Sequence, residues 1–294
     1  MPKLSVIIIA HNEEQNILRC LESVKPVADE IVVVDSMSTD QTARICNDFG
    51  CKVYQREFDG YGTQKQYAAD RATNDWVFSV DADEVVSEEL RDELKEMFED
   101  GGHRVTGSQG HRVTGSQGHK VTGSQGYSTT QSLNHSVTQS LNHSFAQYAG
   151  FNIPFSLFFM GRILRHGGVG NEVHLRIFDR TKGGFTRVPV HEGIEVTGAV
   201  GSFHGRIIHY SYRDISHHLD KINTYTSQAA EGYRKRGKSF SGIWAALKFP
   251  TSFFSFYFIK LGCLDGYPGF MWSFLAAVYA TLKVAKTIEL EQKP

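Results

Sequence analysis

Cysteine is scarce in this chain, and no two cysteines stand at a spacing that chelates zinc or cycles between thiol and disulfide. The four are Cys20, Cys46, Cys51 and Cys263, without a CxxC pair, and the expectation is reduced thiols in a cytoplasmic protein. An excess of either charge is also missing. The balance of 31 basic and 32 acidic residues leaves a net charge of −1, so no global field draws the chain to nucleic acid. A secretory leader is not expected either: the apolar run at 4–10 is short, and polar residues follow where a small-residue cleavage site would stand. No GxGxxG follows that run, which argues against a glycine-rich dinucleotide fold. Nor is there an uninterrupted membrane-length apolar run. Residues 242–262 come near it, but Lys248, Pro250 and Lys260 break them.

What the first hundred residues do contain is an alternation. The runs "LSVIIIA" (4–10), "EIVVVD" (30–35), "KVYQRE" (52–57) and "DWVFSVD" (75–81) read as strands. Between them lie helix-like segments, one with Ile17, Leu18, Leu21 and Val24 on a common face and one with Ser38, Thr39 or Asp40 as N-cap. Strands that are apolar throughout and separated by helices predict a parallel sheet covered on both faces. Such sheets bind ligands beyond the carboxyl ends of their strands.

Residues 101–148 differ in kind. "HRVTGSQG" occurs twice, "HKVTGSQG" follows, and "TQSLNHS" is then repeated. One Val or Leu per repeat is too little apolar surface to offset the ordering entropy, so a disordered insertion in a loop is predicted. Residues 149–212 return to short strands among glycines. The segment 213–294 is helical in pattern, with Ile215, Leu219, Ile222, Tyr225, Ala229 and Tyr233 at helical spacing, then two apolar stretches of about helix length.

The acids at the end of the fourth strand carry the chemistry. Asp81, Asp83 and Glu84 fall within four positions. Two carboxylates so close repel unless a cation sits between or beside them. A hard cation such as Mg²⁺ or Mn²⁺ prefers oxygen and commonly shares its shell with substrate phosphates. A metal–diphosphate site therefore explains the pair better than an acid–base dyad. A helix N-terminus ahead of Ser87 accounts for the acids after position 84 but not for two aspartates on the last strand positions. The first strand ends in His11, Asn12 and Glu13 and the second in Asp35, groups able to read a base or ribose.

With these residues in view, "SVIIIAHNEEQNI", "EIVVVDSMSTDQT" and "WVFSVDADE" resemble the three sequence blocks of family-two glycosyltransferases of the GT-A fold. "FFMGRILRHGG", "LRIFDR", "VHEGIEV", "IIHYSYRD" and "LGCLDGYPGF" are similar to a narrower branch, the lipopolysaccharide-core glucosyltransferases and their envelope-glycan relatives. The resemblance implies an α/β fold with a Rossmann-like mixed sheet flanked by helices and a C-terminal hydrophobic helical extension. It implies a nucleotide-sugar half at 1–100 and an acceptor half at 149–212. It places Ala10, Asn12, Glu13 and Lys65 at the nucleotide, Asp35 at the base, and Asp81 and Asp83 at the diphosphate and its Mg²⁺ or Mn²⁺. His191 is a further candidate for the metal. An inverting transfer needs a general base; Glu172, four residues before Arg176, is the expected one and Glu192 the alternative.

The implied partners are a UDP-sugar donor, a glycan or glycolipid acceptor and the inner leaflet of the cytoplasmic membrane. At that surface the region 213–294 would lie with its lysines toward head groups. The basic run Arg234, Lys235, Arg236 and Lys238 would add attraction to anionic lipid. A polyprenyl-phosphate sugar synthase and a non-catalytic sugar-binding protein of the same fold are the rival readings.

Overall fold

The structure is a computed structural model that describes residues 2–99, 147–170, 172–186 and 193–292. The repeats at 103–145, together with His191 and Glu192, lie outside the described residues.

Four strands begin the sheet: β1 (Leu4–Ala10), β2 (Glu30–Asp35), β3 (Lys52–Gln55) and β4 (Trp76–Asp81). They pair in parallel in the order β3-β2-β1-β4. Their crossovers are α1 (Ile17–Val24), α2 (Thr42–Asp48) and α3 (Tyr61–Arg71). After β4 come β5 (Glu84–Val86) and α4 (Glu88–Glu99). The chain continues as β6 (Tyr148–Phe159), β7 (Arg162–Leu164), β8 (Val173–Asp179), β9 (Gly183–Phe185), β10 (Ile194–Val196), β11 (Ala199–Ser202) and β12 (Ile207–His209). Helices α5 (Ile215–Lys235), α6 (Gly242–Phe254) and α7 (Gly266–Gln292) complete it.

Because β1, β2 and β4 are buried on both faces, they need apolar residues at every position, and two cores result. Val6, Ile8, Val33, Phe78 and Val80 face α1 and α4 through Cys20, Leu21, Leu90 and Leu94. Ile7, Val32, Val34 and Val77 face the alanines of α3. The sheet turns mixed beyond β4, where β8 runs antiparallel and the order continues β8-β6-β12-β5. Strand β6 joins the two ends, its first half pairing with β8 and its second with β12 and β7. This is an α/β mixed sheet flanked by helices, with the helical extension at its end.

Three local expectations change. On α1 the buried stripe is Ile17, Cys20, Leu21 and Val24, while Leu18 is 46% exposed. Cys20, at i+3 from Ile17, completes the stripe with a thiol, whereas Leu18 at i+1 lies off that face. The N-cap of α2 is Gln41, although the Asp40 carboxylate does accept the Thr42 amide at 2.9 Å. On α5 the buried line is His218, Ile222, Thr226 and Ala230, with Leu219 and Tyr225 exposed. Half of that line is polar, so hydropathy alone selects a neighbouring face.

Helix α6 runs into a π-helical turn at Ser255–Ile259 and a 3₁₀ turn at Gly262–Asp265 before α7. The Asp265 side chain is buried and accepts the amides of Arg165 and His166 at 3.0 and 2.8 Å. Arg162 donates to the Asp265 carbonyl at 3.1 Å. These bonds clamp the helices to the segment after β7. Among the described residues, no helix is long and apolar enough to cross a membrane.

Candidate active site

The loops after β1 and β2 are built as one unit. His11 Nδ1 lies 2.8 Å from the Ser36 carbonyl, and the Ser36 amide donates to the Ala10 carbonyl at 2.8 Å. Asn12 takes a left-handed backbone, φ 54°, which Asn tolerates better than most residues. In that geometry its amide donates to Ser38 Oγ at 2.9 Å and its Oδ1 accepts the Thr39 amide at 2.8 Å. The Glu13 carbonyl receives the first free amides of α1, and its carboxylate accepts from Asn16 at 2.8 Å. Burial raises the Glu13 carboxyl above its usual value, with Asp83 adding to the effect.

Asp35 is fully buried at the end of β2. Its Oδ2 accepts the Ser38 amide at 3.1 Å, while its Oδ1, also buried, has no partner among the described residues. A buried acceptor left unsatisfied costs stability unless a ligand N–H reaches it. The residues expected to read a base thus frame one unfilled acceptor.

Asp81 and Asp83 sit on either side of a tight reversal. Strand β4 ends at Asp81, the chain turns at 82–83, and β5 leaves to pair antiparallel with β12, Glu84 opposite His209. The Asp81 amide donates to Glu84 Oε2 at 2.8 Å, closing the turn. The two aspartates consequently meet different partners. Lys65 Nζ lies 2.9 Å from Asp81 Oδ1, and the Arg176 guanidinium lies 3.4 Å from Asp81 Oδ2. Burial pushes the Asp81 carboxyl up, but these two cations outweigh it and hold it well below the usual carboxylate range. Asp83 faces His209 instead, Oδ2 to Nε2 at 3.1 Å, and its carbonyl accepts the Tyr210 amide at 2.9 Å. Burial lowers the His209 imidazole, yet its bond to Asp83 and the charges of Glu84 and Asp81 carry it above its ordinary value.

Glu84 and Arg176 are site members to which sequence reasoning assigned no role. Glu84 is buried and receives Arg176 at 2.8 Å. Burial, with the charge of Asp81, nevertheless pushes its carboxyl up to about 7. The third acid of the 81–84 cluster is therefore a positioning group for the arginine, which also stacks over Phe155 at 4.8 Å. His209 was missed as well. Its signal was a lone histidine inside an apolar strand-like run, which gains meaning only once β12 is paired with β5.

Glu172 precedes β8, which is antiparallel to β4 and so begins at the end where β4 carries its acids. Its carboxylate is exposed and lies 3.4 Å from His174 Nε2. Among the described residues, no group of three or more His, Cys, Asp or Glu side chains stands ready to enclose a metal ion.

Comparison with known sequences identifies the family. The sequence profile of glycosyl transferase family 2 matches residues 5–168. An uncharacterized glycosyltransferase of Rickettsia typhi is 30% identical over the whole chain and 89% of its own length. The lipopolysaccharide core biosynthesis glycosyltransferase LpsC of Rhizobium meliloti is 27% identical over 97% of the chain and 93% of its own length. A shorter likeness, covering 29% of this chain and 34% of the other at 29% identity and a TM-score of 0.27, is to glucosyl-3-phosphoglycerate synthase of Mycobacterium tuberculosis. This chain belongs to glycosyl transferase family 2 and has a GT-A-type fold.

Proposed function

We propose that the chain transfers a sugar, glucose by its branch resemblance, from a UDP-sugar to a cell-envelope glycan such as a lipopolysaccharide core, with inversion at the anomeric carbon. The observation that carries this reading is the reversal after β4, which turns Asp81 toward Lys65 and Arg176 and Asp83 toward His209. The relationship to LpsC along nearly the full chain supports the envelope glycan.

Asp35, with its open Oδ1, receives a uracil N–H, and Asn12 and Glu13 hold the loop against which the nucleoside lies. Lys65 and Arg176 fix Asp81 and add positive charge where the diphosphate binds. A carboxylate and an imidazole facing each other suit a divalent cation, Mg²⁺ or Mn²⁺, that completes its shell with diphosphate oxygens. Asp83 and His209 would hold such an ion, and Asp81 would stand behind it. Bound there, it supplies charge to the leaving diphosphate. The acceptor hydroxyl oxygen bonds to the anomeric carbon as the bond from that carbon to the diphosphate breaks. The electron pair leaves with UDP, and the hydroxyl proton passes to Glu172.

The enzyme works on the inner face of the cytoplasmic membrane without crossing it. Ile243 is 76% exposed, and Leu247, Phe254, Phe258 and Ile259 are exposed beside Lys248 and Lys260. Exposed apolar side chains interspersed with lysines suit a bilayer interface.

The test is a panel of UDP-sugars incubated with the full chain and Mn²⁺, read by nucleotide release with and without glycan acceptor. Release with one sugar is expected, and Glu172→Gln should lower turnover by about 10²–10⁴ with donor affinity unchanged. A folded protein that releases no nucleotide from any donor would refute the reading. Near-normal turnover in Glu172→Gln, with the loss appearing in Glu192→Gln, would move the base to Glu192.

A further inference from the structure

A cavity of about 430 Å³ lies between α5, α7 and the segment after β7, outside the cluster of catalytic acids. Ile222, Phe256, Leu275, Ala276 and Ala280 give it an apolar body. One wall is a stack of rings: Tyr212 on His218 with centroids 3.7 Å apart, and His218 on Trp272 at 5.8 Å. Since these rings cover one another, few of their faces are left for a sugar to lie on.

Two observations show that the cavity is not simply a packing gap. His218 is 4% exposed, and its Nδ1 has no hydrogen-bond partner among the described residues. Burial also pushes its imidazole down to about 4, so the ring is neutral near pH 7. Two cations, Lys221 and Lys283, line the same space. Lys221 donates to the Ser211 carbonyl at 2.9 Å, and Lys283 rests over the Tyr279 ring at 5.2 Å. Two ammonium groups held over an apolar chamber suit a ligand with a hydrocarbon body and an anionic head.

We propose that this cavity is a lipid site, taking one acyl chain of an anionic membrane lipid in its apolar body, with the lipid phosphate against Lys221 and Lys283. A free sugar would bring hydroxyls that Leu275, Ala276 and Ala280 cannot satisfy, and an alkyl chain brings none. Phe256 belongs to the π-helical turn whose Phe258 and Ile259 are exposed, so the cavity adjoins the surface assigned to the bilayer. The source of the lipid rests on that membrane reading; the cavity's chemistry does not.

The experiment titrates the full chain calorimetrically with dodecyl phosphate below its micelle concentration, with dodecanol and inorganic phosphate as separate probes. Dodecyl phosphate is expected to bind one to one, about tenfold or more tighter than either fragment. Ala280→Trp, which fills the chamber, and Lys283→Glu, which removes one cation, should each weaken it about tenfold while UDP affinity stays the same. Unchanged dodecyl phosphate affinity in both variants would overturn the site. Equal binding of inorganic phosphate would overturn the lipid assignment, and equal binding of dodecanol the role of the lysines. Should Ala280→Trp fail to fold, Lys283→Glu and the fragment comparison decide. A monomeric amphiphile needs no bilayer, so saturable binding of it by a protein that ignores vesicles supports the cavity and counts against the membrane surface alone.

Discussion

Asp81 and Asp83 are two positions apart, yet one is held between two permanent cations and the other faces an imidazole. Lys65 and Arg176 already balance Asp81, so its charge organises the site more than it attracts a cation. Among the described residues the Asp83 carboxylate meets the His209 ring, a partner that can change protonation. Asp83→Asn is therefore expected to abolish transfer with little change in thermal stability. Calorimetric titration of UDP should show the Mn²⁺-dependent gain in affinity lost in this variant. A gain equal to the wild type's would refute the assignment. A second residue-scale prediction concerns Glu30, remote from the chemistry. Burial alone would raise its carboxyl, but Lys52, Ser5 and Thr73 all bond to it and bring it down to about 2. A lowered carboxyl stabilises the fold above its unfolded value, and that stability is lost as pH falls toward about 2. Glu30→Gln should accordingly unfold more easily at neutral pH and lose less on acidification from pH 5 to 2, measured by urea midpoints.

At the level of elements, β1, β2 and β4 can be read from sequence because a strand covered on both faces must be apolar at every position. The strand-end groups His11, Asn12, Asp35 and Asp81 are legible for the same reason, since they mark where such runs stop. The pairing of β5 with β12 is not legible. It joins residues 84–86 to 207–209, and nothing within either short run names its partner. His209 and Arg176 stayed out of view because their contacts to Asp83 and Asp81 span 126 and 95 residues. Helix α5 shows a different limit. Its periodicity is clear, but the stripe that touches the core runs through a histidine and a threonine. A direct check compares two residues that hydropathy treats alike. Ile222→Ala should cost about 2–5 kcal/mol because Ile222 packs with Leu157, Phe159 and Leu275. Leu219→Ala, at a position 45% exposed, should stay within about 0.5 kcal/mol of wild type in urea unfolding.

For the whole molecule, the issue is how the apolar helices relate to the catalytic sheet. Helix α7 packs on the sheet side through Leu275 and Trp272, whereas α6 and the π-helical turn keep Ile243, Leu247 and Phe258 outward. Removing residues 240–294 would strip a covering from Leu157, Phe159 and Ile222, so membrane binding is better tested by surface charge. The full chain should sediment with phosphatidylglycerol vesicles at low salt. Ile243→Glu combined with Leu247→Glu should abolish sedimentation without lowering the melting temperature, and salt should weaken the wild-type interaction. Undiminished sedimentation of the double variant would place the binding surface elsewhere.

The bond between Arg176 and Glu84 also bears on the order in which the protein comes into being. Glu84 is made 92 residues before its arginine. At roughly 5–20 residues per second, a growing chain carries that acid for about 5–20 s with its counter-ion still unsynthesised. The Glu84 carboxyl, pushed up to about 7 even beside Arg176, takes up a proton when buried without that partner, so until β8 is made the first four strands close around Glu84 only in its neutral form. The first hundred residues are thus completed by β8, and a truncated product stopping short of it would hold the family's first three sequence blocks while lacking the arginine that pairs with Glu84 and shares Asp81 with Lys65.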